Sequence, residues 1–187
     1  MNIHVKRARD AERTAADILQ AAQRVFSARS FSEAGVREIT ALANVTPALV
    51  NRYFGSKEKL FEAALTDVLD ARYLTEGERE DFGERLASFF IDGRARGPAV
   101  NPLPMLVMAT SDAGARDVAL RLLNEKIMIP LAAWFGGADA EDRAAQLMAV
   151  ATGFFTFRVL LPLAPLTGQV SPGMRRWLAA TLQAIVD

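Results

Sequence analysis

The sequence contains no cysteine and a single histidine, His4, which lies in a polar N-terminal segment. The lack of cysteine excludes disulfide bonds and cysteine-based zinc sites. One terminal histidine cannot supply a Ser-His-Asp triad, a Cys-His pair or a multi-histidine metal centre. These absences argue against an enzyme but leave catalysis by Asp, Glu, Lys or Ser open. We expect no catalytic residue, no metal site and no cofactor.

Long apolar runs are also missing. No stretch of about 18 uncharged apolar residues is present, and the N-terminus lacks a secretory pattern. A chain without cysteine suits a reducing compartment, so we expect a cytoplasmic protein that has no membrane partner.

Charge is unevenly distributed although the net charge is zero. Residues 1–57 hold nine basic and five acidic side chains, a net +4, and residues 58–187 hold thirteen and seventeen, a net −4. A basic first part joined to an acidic remainder is typical of a nucleic-acid-binding domain followed by a domain that does not touch nucleic acid.

Residues 36–57 have the pattern of two short helices joined by a tight turn. Ile39, Leu42 and Ala43 share one face of the first helix, which predicts that they are buried. Asn44 follows at the point of reversal and tolerates a left-handed conformation. This arrangement is the helix-turn-helix design.

The second helix is predicted to start at Thr46-Pro47, with a capping hydroxyl followed by a proline at the first helical position. Val50 and Phe54 continue the buried face. The side chains left to face outward are Pro47, Ala48, Asn51, Arg52 and Tyr53.

Two features bracket the motif. Phe31 is expected to fill the corner between the preceding helix and the motif. Gly55 is expected to end the second helix, and Ser56 to cap the next helix, where Lys57 and the free amides form an anion site.

The run REITALANVTPALVNRYFGSKEKLF resembles the N-terminal domain of the TetR family of transcriptional regulators. The resemblance covers about Arg13 to Leu65. It is carried by Phe26, Phe31, Val36, Ile39, Ala43, Val45, Val50, Tyr53, Phe54, Ser56, Lys57 and Leu60. It implies a DNA-binding regulator rather than an enzyme.

The resemblance assigns base contacts to the outer face of the second helix. Arg52 can pair with guanine, and Pro47 and Ala48 can meet thymine methyl groups. Phosphate contacts, which set register, are expected from Arg37, Thr46, Tyr53 and Lys57.

Two positions depart from the family pattern. Ala34-Gly35 stands where a hydroxyl residue is common before the first helix of the motif, and Arg37 is expected to compensate for the missing phosphate contact. Asn51 stands where the family often has tyrosine, and it can pair with an adenine edge or reach a phosphate.

The remainder of the chain is predicted to be helical, giving an all-α protein of about nine helices. Besides the motif, the predicted helices span 13–28, 57–73, 82–93, 103–111, 115–135, 140–161 and 172–186. Pro130 is expected to distort the fifth of these. Residues before Arg13 are expected to be either disordered or a basic arm, and Gly93 to Asn101 is expected to be a connection. Residues 1–57 are expected to form the DNA-binding domain and residues 58–187 the ligand-binding and dimerisation domain.

The last two predicted helices, 140–161 and 172–186, are expected to form the homodimer interface. Small residues that permit close helix approach lie on the first, namely Ala144, Ala145, Ala149, Ala151 and Gly153, and Trp177 supplies bulk on the second.

The resemblance implies an effector cavity between the middle helices, where large apolar side chains concentrate. Its predicted lining is Phe89, Met105, Met108, Met128, Trp134, Phe154 and Arg158. Methionine and phenylalanine at helical spacing also serve as ordinary core residues. Arg158 could meet an anionic ligand, pair with an acid across the dimer, or be exposed.

The sequence thus predicts a repressor that binds a palindromic double-stranded DNA operator as a homodimer and is released by a small, apolar or aromatic effector. Alternatives are an activator, an all-α small-molecule enzyme with an accessory helix-turn-helix module, and a helical protein that binds a protein partner.

Overall fold

The computed structural model describes the backbone of residues 3–93 and 100–187, and the side chains of 9–93 and 100–187. These residues form helices and connections without a β-strand, which confirms the all-α prediction. The helices are α1 (Ile3–Ala28), α2 (Val36–Leu42), α3 (Pro47–Phe54), α4 (Lys57–Val68), α5 (Arg72–Thr75), α6 (Phe82–Asp92), α7 (Pro102–Ala109), α8 (Ala113–Leu123), α9 (Ile129–Phe135), α10 (Ala140–Phe155) and α11 (Pro172–Gln183). Because a π-helical segment joins α8 to α9 and α5 is a single turn, the described residues contain nine substantial helices.

The described residues form two compact units. Among the described residues, the first combines 3–68 with 100–122, and the second combines 69–93 with 123–187. The predicted boundary after residue 57 separates the expected DNA-binding and ligand-binding functions, whereas the two units are defined by their contacts. That boundary stays a prediction. Residues 94–99 of the expected connection lie outside the described residues, as do the side chains of Lys6 and Arg7.

The first unit is built on α1, which packs against α2, α4 and α7. Its core contains Ile18, Phe26, Ile39, Val50 and Phe61, each at most 2% exposed. Because Val50 lies in this core, α3 is held with its opposite side toward solvent. The burial of Val50 therefore determines which side chains of α3 are exposed to solvent.

In the second unit, α6 and α11 make the most extensive contact, and α10 packs against α9. Gln183 of α11 accepts a hydrogen bond from the Gly83 amide at 2.9 Å and donates one to the Arg79 carbonyl at 3.1 Å. These bonds fix the start of α6 against α11.

The N-terminal helix is longer than predicted. It begins at Ile3 rather than near Arg13, so the expected disordered start is wrong over the described residues. No glycine or proline interrupts residues 3–28, and alanine, arginine and glutamate favour helix even without an apolar face. Weak apolar periodicity therefore does not mark a helix boundary here.

The helix predicted over 57–73 ends early, at Val68. The Asp70 carboxylate accepts hydrogen bonds from the Arg72 amide at 2.9 Å and from the Arg72 guanidinium at 2.6 Å. Aspartate side chains compete in this way with the helical hydrogen-bond ladder. The separate turn α5 follows.

The distortion expected at Pro130 is present as the π-helical segment Asn124–Met128. A proline lacks the amide hydrogen and its ring collides with the carbonyl four residues earlier, here that of Lys126. A wider turn relieves both problems. A second π-helical segment, Thr156–Leu160, ends the α10 helix before Pro162.

The buried side of α2 differs from the predicted one. Leu42 is 58% exposed, whereas Thr40 is 2% exposed. The Thr40 hydroxyl donates to the Val36 carbonyl at 3.0 Å, so burying it leaves no unsatisfied polar group. Phe54 of α3 is half-buried rather than buried. The predictions that Leu42 and Phe54 are buried are therefore wrong.

Candidate nucleic-acid interface

The outer side of α3 carries four exposed side chains from the predicted set, namely Pro47, Ala48, Asn51 and Arg52. They lie opposite Val50, which has no exposed surface. Tyr53 is half-buried at the edge, and its ring centroid lies 5.9 Å from the Arg52 guanidinium carbon. A short helix with a narrow mixed surface of this kind fits the major groove of B-DNA.

The turn before α3 sets the angle of that helix. Asn44 has φ of 53°, which confirms its predicted left-handed conformation. The Val45 amide donates to the Thr40 carbonyl at 2.9 Å and closes the turn. The chain can therefore reverse within a few residues.

The starts of α2 and α3 carry no side-chain cap. Gly35 precedes α2 and has no hydroxyl, and the Thr46 hydroxyl before α3 accepts no capping hydrogen bond. The expected Thr46 cap is therefore wrong, although α3 begins at Pro47 as predicted. The exposed Thr46 hydroxyl remains available to an outside acceptor.

The start of α4 lies next along the chain. Gly55 ends α3 with φ of 84°, and the Ser56 hydroxyl accepts from the Lys59 amide at 3.2 Å, which confirms the predicted cap. Lys57 is the first residue of α4 and is half-buried.

Three basic side chains of the predicted DNA-binding set form no ion pair among the described residues: Arg37, Arg52 and Lys57. Arg29 in contrast is paired with Glu38 at 3.0 Å. An unpaired cation can attract phosphate without first breaking a salt bridge. Arg37 and Lys57, the two cations predicted to contact phosphate, are therefore not held by a carboxylate among the described residues.

Comparisons with known proteins agree with this geometry. Residues 18–64 match the model of bacterial regulatory proteins of the tetR family, and residues 80–186 match that of the tetracyclin repressor-like C-terminal domain. The second match alone covers more than half of the chain. The chain belongs to the TetR family. This membership makes it a DNA-binding transcriptional regulator rather than an enzyme.

Relatives of this TetR-family chain include NicS, an HTH-type transcriptional repressor of Pseudomonas putida, at 42% identity over 62 residues. That match covers 33% of this chain and 29% of NicS, so the chain spans less than a third of that relative's length.

Solved structures resemble the fold over nearly the whole chain. A TetR-family regulator of Streptomyces coelicolor is 26% identical, with a TM-score of 0.56 and coverage of 94% of this chain and 95% of that one. A transcriptional regulator of Rhodococcus is 22% identical, with a TM-score of 0.54 and coverage of 94% and 93%. The second likeness concerns the fold alone.

The predicted effector residues are distributed over both units. Met105 and Met108 belong to the first unit, and the other five to the second. Phe154 joins a cluster of rings with Phe89, Phe90 and Phe155, in which neighbouring centroids are 4.9 to 6.1 Å apart.

Trp134 belongs to another ring cluster of the second unit. It stacks on Phe82 at 5.1 Å and carries the Arg79 guanidinium 4.7 Å from its ring centroid. Among the described residues, the ring clusters of Phe154 and Trp134 share no ring. The effector role of their members stays a prediction.

Arg158 is engaged by the backbone. Its guanidinium donates to the Ile91 carbonyl at 2.7 Å and to the Leu166 carbonyl. It thereby satisfies a carbonyl at the end of α6, a place where a cation is favoured by the helix dipole.

A surface pocket of about 370 Å³ lies in the second unit between the end of α6 and the start of α11. None of the predicted effector residues lines it. The ion pair of Arg175 with Asp92, at 2.8 Å, forms part of its wall.

One contact at the candidate surface was not predicted from the sequence. The sequence predicts only that Phe31 fills the corner between α1 and the motif, yet its ring lies beneath the Lys57 ammonium. The two residues are far apart in the sequence, and no local periodicity links them.

Proposed function

We propose that this TetR-family regulator is a repressor that binds a palindromic operator as a homodimer and is released by a small apolar or aromatic effector. The observation that carries the proposal is the outer side of α3, where Pro47, Ala48, Asn51 and Arg52 are exposed and Arg52 forms no ion pair among the described residues. The relative NicS is a transcriptional repressor, which supports repression over activation.

Within the complex, residues on α3 read bases and residues at its edges hold phosphates. Arg52 donates to guanine, Asn51 pairs with an adenine edge or a phosphate, and Pro47 and Ala48 meet thymine methyl groups. Arg37, Thr46, Tyr53 and Lys57 fix the register through phosphates.

Dimerisation uses α10 and α11 together with the ends predicted for them, 140–161 and 172–186. Ala145 and Ala149 of α10 are exposed, and Trp177 of α11 is 55% exposed. A Cβ added at Gly153 would meet no atom within 4 Å, so this side of α10 can receive another helix. Ala144, which has no exposed surface, serves the core of its own unit instead.

The effector acts through residues 58–187 on the DNA-binding residues 1–57, inside the cytoplasm. Effector binding tilts α4, which spans Lys57–Val68, and thereby changes the separation of the two α3 helices in the dimer. An effector shifts the equilibrium between the DNA-binding and the released state only by its unequal affinity for the two, typically by about 1–3 kcal/mol.

Within residues 3–93 and 100–187, every helix is too short or too polar to span a lipid bilayer.

The DNA-binding surface is tested after an operator has been selected from random duplexes with the purified protein. Lys57→Ala should weaken binding to all sequences alike and reduce the slope of log K against log salt by about one unit per half-site, because one phosphate contact is lost. The matched control is Lys126→Ala, an exposed lysine of the second unit. An equal effect of both variants would contradict a local phosphate contact.

Arg52→Ala should relax base preference at one position of each half-site, at a cost of about 1–3 kcal/mol for the preferred base. Repeating the selection with the variant measures this directly. Arg116→Ala, an exposed arginine of α8, is the control. If the selected site is the same with and without Arg52, then Arg52 does not read a base.

A further inference from the structure

The Lys57 ammonium nitrogen lies 4.5 Å from the centroid of the Phe31 ring. An ammonium over an aromatic face is attracted by the negative charge that the face presents. Both residues are half-buried, so part of the contact is shielded from water. The contact joins the loop after α1 to the first residue of α4.

The Phe31 ring is itself held in place by two others. It stacks on Phe26, with centroids 6.0 Å apart and planes at 17°, and it meets Phe61 edge-on at 5.5 Å. Phe26 and Phe61 are 1% and 2% exposed, and their own rings meet edge-on at 5.1 Å. The Phe31 ring is thus held by core residues of the first unit and provides a fixed surface beneath the Lys57 ammonium.

No carboxylate holds Lys57 at ion-pair distance among the residues that the structure describes. A free lysine side chain loses much rotamer freedom when it binds a phosphate. A lysine that already rests on a ring has lost part of that freedom beforehand, so binding costs less. The ring occupies one side of the ammonium and leaves its remaining N–H groups for an acceptor.

We propose that Phe31 is a positioning residue for DNA binding, which holds the Lys57 ammonium in place for a phosphate of the operator backbone. This inference rests on the proposed function, since it requires Lys57 to contact DNA. Phe31 itself touches no nucleic acid in this arrangement and acts only through Lys57.

A double-mutant cycle on operator affinity tests the inference. Phe31→Leu keeps an apolar side chain but removes the ring. It should raise Kd by up to about two- to fivefold per half-site, because the strength of a partly exposed cation–π contact limits how far the ring can order Lys57 before binding. In a Lys57→Ala background the same substitution should leave Kd unchanged. Phe31→Tyr keeps the ring face and should restore the affinity of the original protein. Thermal unfolding of each variant checks that the first unit remains folded.

Two outcomes would overturn the positioning role alone. If Phe31→Leu weakens binding equally in the original protein and in the Lys57→Ala background, the ring acts only through the fold. If Phe31→Leu tightens binding, the ring withholds Lys57 from DNA. A Lys57→Ala variant that binds as well as the original protein would remove Lys57 from the proposed interface, a separate failure visible in the single variant.

Discussion

At the scale of single residues, Gly83 decides how closely two helices of the second unit approach. A Cβ placed on Gly83 would lie 2.2 Å from the Ala179 carbonyl oxygen and 2.8 Å from the Gln183 Cβ. The backbones of α6 and α11 therefore meet without an intervening side chain. The Gln183 hydrogen bonds to Gly83 and Arg79 depend on this closeness.

Gly83→Ala should lower the free energy of unfolding by about 1–3 kcal/mol, because the added methyl group forces the two backbones apart. Urea denaturation followed by circular dichroism measures the loss. Gly114→Ala is the matched control, since a Cβ there would make only an ordinary contact, 3.6 Å from the Asp112 carboxylate. If both variants unfold at the same urea concentration, the close approach of α6 and α11 is not a constraint on stability.

At the scale of elements, the break between α4 and α5 rests on Asp70. Its carboxylate binds both the amide and the guanidinium of Arg72, and these hydrogen bonds hold the pKa of Asp70 below its ordinary value of 3.8. A depressed carboxyl pKa stabilises the folded protein above the unfolded pKa, and this contribution is lost as the pH falls through the folded value. The break is therefore held by a charged group at neutral pH.

Asp70→Asn should lower the urea midpoint slightly at pH 7, because the Arg72 side chain is 80% exposed and the pair is screened by water. The difference from the original protein should shrink as the pH is lowered through the depressed pKa of Asp70. Urea titrations at a series of pH values check both statements, with Asp117→Asn on exposed α8 surface as the control. A difference that stays constant across the acid range would show that charge on Asp70 is not responsible.

At the scale of the whole molecule, one helix-turn-helix surface is small for tight and specific binding. Two copies related by twofold symmetry reach major grooves that face the same side of the duplex, about 34–36 Å apart. The exposed side of α10, around Ala149 and Gly153, is the surface proposed for that symmetry. In a twofold interface each substitution occurs twice, so its effect is doubled.

Gly153→Arg should convert a dimer of twice 20.4 kDa into a monomer of 20.4 kDa and abolish high-affinity operator binding. Open space around a Cβ at this position means that the folded unit itself should tolerate the change. Sedimentation velocity gives the mass, and Ala133→Arg at an exposed position of α9 is the control. A Gly153→Arg protein that remains a dimer would place the interface elsewhere.

The sequence by itself determined the features that depend on a few neighbouring residues. The start of α3 at Pro47, the left-handed Asn44, the Ser56 cap and the distortion before Pro130 are all local consequences of backbone geometry and hydrogen bonding. The family resemblance supplied the expectation of a DNA-binding regulator.

Only the tertiary structure decided which of several compatible surfaces is buried and which distant residues meet. Thr40 rather than Leu42 faces the core, α7 and most of α8 pack in the same unit as the helix-turn-helix, and the Phe31 ring lies beneath Lys57. Periodicity defines a helical face only to within a residue or two, and it carries no information on a partner dozens of residues away. Packing of the complete chain selects among the possibilities, because each buried group must find contacts and hydrogen bonds at once.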